Sequence, residues 1–170
     1  MEDKIIEGIA FALPALVTGG VAYFMFSAFL QQDDNEKKFQ ALIQKKKDSL
    51  PTKLQAYERL LLYSERINPA KLLTRVNPIG DDSDSYAHLL IANIEQEFEH
   101  NLVQQIYVHE DAWKAVVGSK LSIINKIRTT AESSDNAKEL RENLLIDYSQ
   151  IESPTETAIA IIKQQVKRLI

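Results

Sequence analysis

The chain contains no cysteine. That absence excludes a disulfide framework and a thiolate nucleophile, and it fits a reducing compartment, although it suits other compartments as well. Its five glycines are scattered and build no phosphate-cradling loop. The G-x-S-x-G turn that exposes a catalytic serine is missing too. No segment alternates apolar and polar residues for long enough to read as a strand, and no segment repeats. Charge of one sign is also lacking: 20 basic residues face 24 acidic ones. A nearly balanced chain has no electrostatic reason to seek nucleic acid, so nucleic acid is not expected as a partner.

The most consequential absence is local. From residue 8 to residue 30 the chain reads GIAFALPALVTGGVAYFMFSAFL, with no charged side chain. As a helix this run is about 35 Å long, enough to cross a hydrocarbon core of about 30 Å. A secretory signal would need a basic start, a shorter apolar core and small residues at a cleavage site. Here the start is MEDKIIE and the run ends in FSAFLQQ, so the expectation is an uncleaved membrane anchor. Only Lys4 precedes the run, whereas Lys37, Lys38, Lys45, Lys46 and Lys47 follow it. Basic residues stay on the cytoplasmic side, which places everything after Leu30 in the cytoplasm of a single-pass protein. Within the run, Ala15 and Gly19, and Thr18 and Ala22, are small residues four apart. Such a face lets another membrane helix approach closely.

Beyond the run, QQDDNEKKFQALIQKKKDS is polar apart from Phe39, Ala41, Leu42 and Ile43, and reads as a helical stalk that Leu50-Pro51 brings to an end. The domain plan is therefore an anchor over residues 1–31, a stalk over 32–50 and a helical domain over 51–170. In that domain Leu54, Tyr57, Leu60 and Leu61 mark the core face of a first helix. Asn68-Pro69 starts a short second helix. NPIGDDSDS, residues 77–85, reads as a loop. A helix over about 86–105 should bury Leu89, Ile91, Ala92, Ile94, Phe98, Leu102 and Ile106. Another starts at Glu110-Asp111 and runs through Trp113, Val116, Val117, Leu121, Ile124 and Ile127. ESSDN, residues 132–136, interrupts the pattern before a helix carrying Leu140, Leu144, Leu145 and Tyr148. Ser153, Pro154 and Glu156 then form a helix-start signal for the last one. The predicted fold class is all-α: an N-terminal transmembrane helix followed by a cytoplasmic helical bundle.

One stretch resembles chemistry. IEQEFEHN, residues 94–101, holds an E-x-x-H pair in Glu97 and His100, with Glu95 and Glu99 one turn apart. Di-iron bundles need two such pairs plus two further glutamates converging inside. Neither His88 nor His109 repeats the motif. Ile94, Phe98 and Leu102 already occupy the core stripe, and Glu97, about 100° from Phe98, points more toward water. The stretch therefore reads as a solvated face with a histidine at its edge, and no cofactor or metal is expected.

At LQAYERLLLYSERINP, residues 54–69, and EFEHNLVQQIYVHEDAW, residues 97–113, the chain resembles an uncharacterised family of Bacteroidetes proteins with one N-terminal membrane span and a helical cytoplasmic domain. The resemblance extends over most of the chain, including the SPTE start of the last helix. It implies the bacterial inner membrane and the orientation above, and it implies no activity, cofactor or partner. The functional expectation is a non-catalytic, membrane-anchored interaction or accessory subunit of an inner-membrane complex. Its partners would be the membrane and either other membrane proteins or a further copy of itself. The competing reading is a membrane-tethered metal protein or enzyme using Glu97 and His100.

Overall fold

A computed structural model describes the backbone of residues 2–170, and the side chains of residue 14, residues 17–33 and residues 36–170. Among the described residues the fold is all-α. It comprises α1 (Glu2–Arg66), α2 (Pro69–Arg75), α3 (Ser83–Asn101), a 3-10 helix (Leu102–Ile106), α4 (Glu110–Glu132), α5 (Ala137–Gln150) and α6 (Pro154–Leu169). The chain divides into two compact units, Met1–Ser49 and Leu50–Ile170.

The first unit is helix throughout its described length. Val17, Val21, Tyr23, Phe24, Met25, Phe26, Phe29 and Leu30 are exposed, as are Phe39, Leu42 and Ile43 further along. Some polar groups here bond along the helix itself. Thr18 Oγ1 donates to the Pro14 carbonyl at 2.9 Å, and Lys37 pairs with Asp33 at 2.6 Å. Among the described residues no helix is long and apolar enough to cross a membrane. The side chains of residues 8–13, Ala15 and Leu16, which belong to the expected span, lie outside what is described.

Pro51 does not end the helix as the sequence suggests. α1 runs through it to Arg66. A proline removes one backbone donor and crowds the carbonyl four residues earlier. The turns on both sides keep their own cooperative bonding, so the defect stays local.

The second unit buries the last turns of α1. Ala56, Tyr57, Leu60, Tyr63 and Ser64, with Ile67 just past the helix end, are all sealed from water, on the i, i+3, i+4 spacing that puts residues on one helix face. Leu61, expected in that stripe, is half-buried beside it. α4 is the central element, packing against α3, α5 and α6, while α3 and α2 each also pack on α5. Its buried face is Ala112, Val116, Ile123, Ile124 and Ile127, and Leu121, expected inside, is half exposed.

Helix starts are capped by side chains. Asp82 accepts from the Ser85 N–H at 2.7 Å, which starts α3 at Ser83, inside the stretch that reads as loop. Asn136 accepts from the Glu139 N–H at 2.9 Å, and Glu139 accepts in return from the Asp135 N–H at 2.7 Å. Ser153 and Pro154 start α6 as anticipated, with the Ser153 hydroxyl accepting from the Thr155 N–H. The Glu156 side chain is exposed and makes no return bond to the cap.

α3 ends earlier than its apolar pattern suggests. Asn101, at φ −110° and ψ 1°, leaves the helical region, and a 3-10 helix follows. Tighter winding at about three residues per turn shifts the register. Leu102 and Ile106, expected on the core side, are therefore 43% and 72% exposed. Ile94→Ala should cost about 2–5 kcal/mol, the usual price of an aliphatic cavity. Leu102→Ala should cost less than about 1 kcal/mol, as exposed changes do. Urea unfolding followed by the fluorescence of Trp113, the single tryptophan, distinguishes the two. Equal losses would mean that the core continues past Asn101.

Candidate functional site

The carboxylates of IEQEFEHN diverge to opposite sides of α3. Glu95 reaches α4, where its Oε2 lies 2.7 Å from the Lys120 ammonium. Glu97 reaches the end of α1, where its Oε1 lies 2.9 Å from Arg66 Nη2. The Glu97 side chain is only 19% exposed, which corrects the expectation that it points to water. Arg66 supplies the counter-charge that makes its partial burial tolerable. His100 is exposed, as its position on the wheel predicts. The E-x-x-H pair is thus divided between an ion pair and solvent. Among the described residues no three histidine, aspartate or glutamate side chains are grouped to hold a metal ion.

Between the two ion pairs lies an aromatic stack. The Tyr63 and Phe98 rings are 5.9 Å apart and tilted, Phe98 and Trp113 are 5.4 Å apart and stacked, and the Lys120 ammonium sits 4.1 Å above the Phe98 ring. Phe98 is partly buried rather than a full core residue. Its ring shields the Lys120 charge, and the cation above its face adds a favourable electrostatic term. Lys120 is 11% exposed at the side chain.

Tyr63 closes the floor of a cleft of about 460 Å³ between α1 and α3, with Arg59, Arg66, Glu97, His100 and Asn101 around it. Its hydroxyl is buried and finds no hydrogen-bond partner. Burial pushes the phenol pKa well above its usual value, and the nearby charges of Glu95 and Glu97 push it further the same way. The group is a neutral phenol across the physiological range, so it offers no base.

The small-residue face of the first unit is placed only in part. Thr18, Gly19 and Ala22 are exposed, and nothing lies within 4 Å of where a Cβ on Gly19 would sit. The Ala15 side chain lies outside what is described.

Sequence reasoning missed Lys120, Arg66 and Tyr63. A signal existed for Lys120: it stands four residues after Val116 and four before Ile124, in the apolar stripe of α4, where a cation must find a partner. Tyr63 carried one as well, three residues after Leu60 and four before Ile67 on one apolar helix face; Arg66 carried none, since its pairing with Glu97 arises only when α1 docks on α3.

Removing one member of the Glu95–Lys120 pair should be asymmetric. Glu95→Gln strands a nearly buried ammonium and should cost about 2 kcal/mol, less than the 3–5 kcal/mol of a fully buried pair because Glu95 is 43% exposed. Lys120→Met keeps the stem over Phe98, frees a carboxylate that water can reach, and should cost less. Denaturant melts of both variants at neutral pH test the order, and the reverse order would contradict it.

Tyr63 gives a pH signature. Its folded pKa lies above the unfolded value of 10.0, so its contribution is fully present below pH 10 and is lost as pH rises beyond it. Tyr63→Phe should leave stability at pH 7 unchanged or slightly raised, because it deletes an unsatisfied hydroxyl. It should also flatten the decline above pH 10. An unaltered alkaline decline would show that other tyrosines carry it.

The model of a family of unknown function, DUF7935, matches residues 3–169. No curated protein and no solved structure matches the chain.

Proposed function

The chain belongs to the DUF7935 family, whose function is unknown, and we propose that it is a non-catalytic helical interaction or accessory subunit anchored in a bacterial inner membrane. The observation that carries this reading is the exposure of Tyr23, Phe24, Met25 and Phe26. Four consecutive residues of a helix point in four directions about 100° apart. A docked helix covers one stripe of such a surface, whereas a bilayer covers all of it. With the uncharged run from residue 8 to residue 30, this favours a span.

The lysine bias after the run supports a cytoplasmic second unit. The same reading accounts for an all-α domain with surface apolar residues. Leu102, Val103, Ile106 and Tyr107 are all exposed around the 3-10 helix, and such clusters mark contact surfaces more often than single exposed leucines do.

Alkaline carbonate should leave the full chain in the membrane pellet, and release into the supernatant would remove the anchor. A reporter active only outside the cytoplasm, fused after Ile170, should be silent, and a strong signal would reverse the orientation. Protein isolated from membranes should retain its first 30 residues, and a mature N-terminus near Gln31 would make this a secreted protein.

A further inference from the structure

A second cleft of the second unit, about 490 Å³, lies where three elements meet. Lys53 and Tyr57, one turn apart on α1, form one side, and Gln165 and Arg168 on α6 form another. Tyr107 and His109, just ahead of α4, close the third. No carboxylate lines this cleft, whereas Glu58 and Glu97 both line the Tyr63 cleft. His109 is engaged with its own helix. Its Nδ1 accepts from the Asp111 N–H at 3.2 Å, beside the Asp111 carboxylate, so it is not counted among the charges of the cleft.

Buried polar groups are what set this place apart. Gln165 belongs to the buried face of α6, with Ala158, Ile159 and Ile162, and is only 7% exposed. Among the described residues no group hydrogen-bonds its side-chain amide. The fully enclosed orphan groups are on Tyr63 and Arg141, so the Gln165 amide is reached through the cleft that it lines. An amide in an apolar stripe costs stability unless something completes its hydrogen bonds. Tyr57 has capacity to spare as well. Its side chain is buried, and its hydroxyl accepts from the His109 N–H at 2.8 Å while keeping its own proton to donate. Cations without an ion pair are common on this unit and mark nothing alone. Here two of them, Lys53 and Arg168, border a cleft that already holds two buried groups with open hydrogen-bonding positions.

We propose that this cleft binds a small organic phosphate monoester. The phosphate lies between the Lys53 ammonium and the Arg168 guanidinium and accepts from the Tyr57 hydroxyl, and the Gln165 amide pairs with a polar group of the organic body. Two cations balance the charge of a monoester, about −1.5 to −2 at neutral pH, better than that of a single carboxylate. A guanidinium also matches two phosphate oxygens at once. The volume falls within the ordinary range of small-molecule sites, about 300–1,000 Å³, and the half-exposed Tyr107 ring offers the body an apolar surface. A soluble metabolite and a lipid headgroup can both present this chemistry. The proposal goes beyond the interaction-subunit reading and depends neither on it nor on the membrane anchor.

The test is calorimetric titration of the full chain, in a zwitterionic detergent at neutral pH. The probes are glycerol 3-phosphate, adenosine monophosphate, dihexanoyl phosphatidic acid and inorganic phosphate. The expected result is saturable one-to-one binding of at least one organic monoester, tighter than that of inorganic phosphate. Binding of the phosphatidic acid alone identifies a headgroup site, and binding of a soluble ester identifies a metabolite site; either supports the proposal. The double variant Lys53→Met and Arg168→Met should weaken that binding about tenfold or more, since it removes both charge-assisted contacts. Gln165→Leu should also weaken it, while raising the melting temperature of the unliganded chain in Trp113 fluorescence.

Absence of saturable binding by every organic monoester at millimolar concentration overturns the proposal and leaves the amide to water. Inorganic phosphate bound as tightly as the esters overturns it too, because the walls would then contribute nothing. An affinity unchanged in the double variant places the ligand elsewhere on the chain. A lower melting temperature for Gln165→Leu with unchanged binding makes the amide structural, and the proposal fails.

Discussion

Burial of the last turns of α1 is the constraint on which the second unit depends. Leu60, Tyr63 and Ile67 have almost no contact with water, and each fully buried side chain of this size is worth about 1.5–3 kcal/mol. The same stretch is tied polar group to polar group on three sides. The Tyr57 hydroxyl accepts from the His109 N–H at 2.8 Å at the start of α4, Arg66 pairs with Glu97 on α3, and Asn68 donates to Thr155 on α6 at 3.2 Å. Removing this segment would uncover α3, α4 and α6 at once. A helix that elsewhere exposes its apolar side chains therefore becomes, in its final turns, the piece around which the domain closes.

That closure decides the chemistry of the glutamate-rich stretch. Three carboxylates within one and a half turns repel one another in isolation. Docking separates two of them, sending Glu95 to Lys120 and Glu97 to Arg66, and fills the space between with Tyr63, Phe98 and Trp113. The result is a pair of ion pairs braced by rings. Glu97 is committed to a permanent cation and Tyr63 is held neutral, an arrangement suited to holding α1, α3 and α4 in register rather than to moving protons.

The caps that define the domain are short-range and explain why its loops are firmly placed. Asp82, Asn136 and Ser153 each satisfy a helix N-terminus. The turn before α3 is then fastened across the fold by the Ala137 N–H donating to the Asp81 carbonyl at 2.8 Å, by Ser83 donating to the Ala131 carbonyl at 3.2 Å and by Tyr86 donating to the Val76 carbonyl at 2.8 Å. Of the three aspartates here, only Asp82 caps with its carboxylate. Asp82 is held below the usual carboxylate range, first by its side-chain hydrogen bond with Ser85 and then by the Ser85 backbone bond, which identifies the charged form as the one that caps.

Sequence alone determined the all-α class, the positions of the second to sixth helices within a few residues, and the division between an uncharged N-terminal run and a charge-balanced domain. These are properties of local periodicity, caps and composition, and the chain carries them without folding. It also placed His100 at the surface, since one helical wheel suffices for that. The end of α1 was not legible at Pro51, because the local bonding of the surrounding turns outweighs one proline, and the remaining decisions fell to tertiary structure. It set the register after Asn101, where a change of winding turned Leu102 and Ile106 outward. It also chose the partners of Glu95 and Glu97, because Lys120 and Arg66 lie 25 and 31 residues away from them in the chain, and only the docking of separate helices brings such groups within reach.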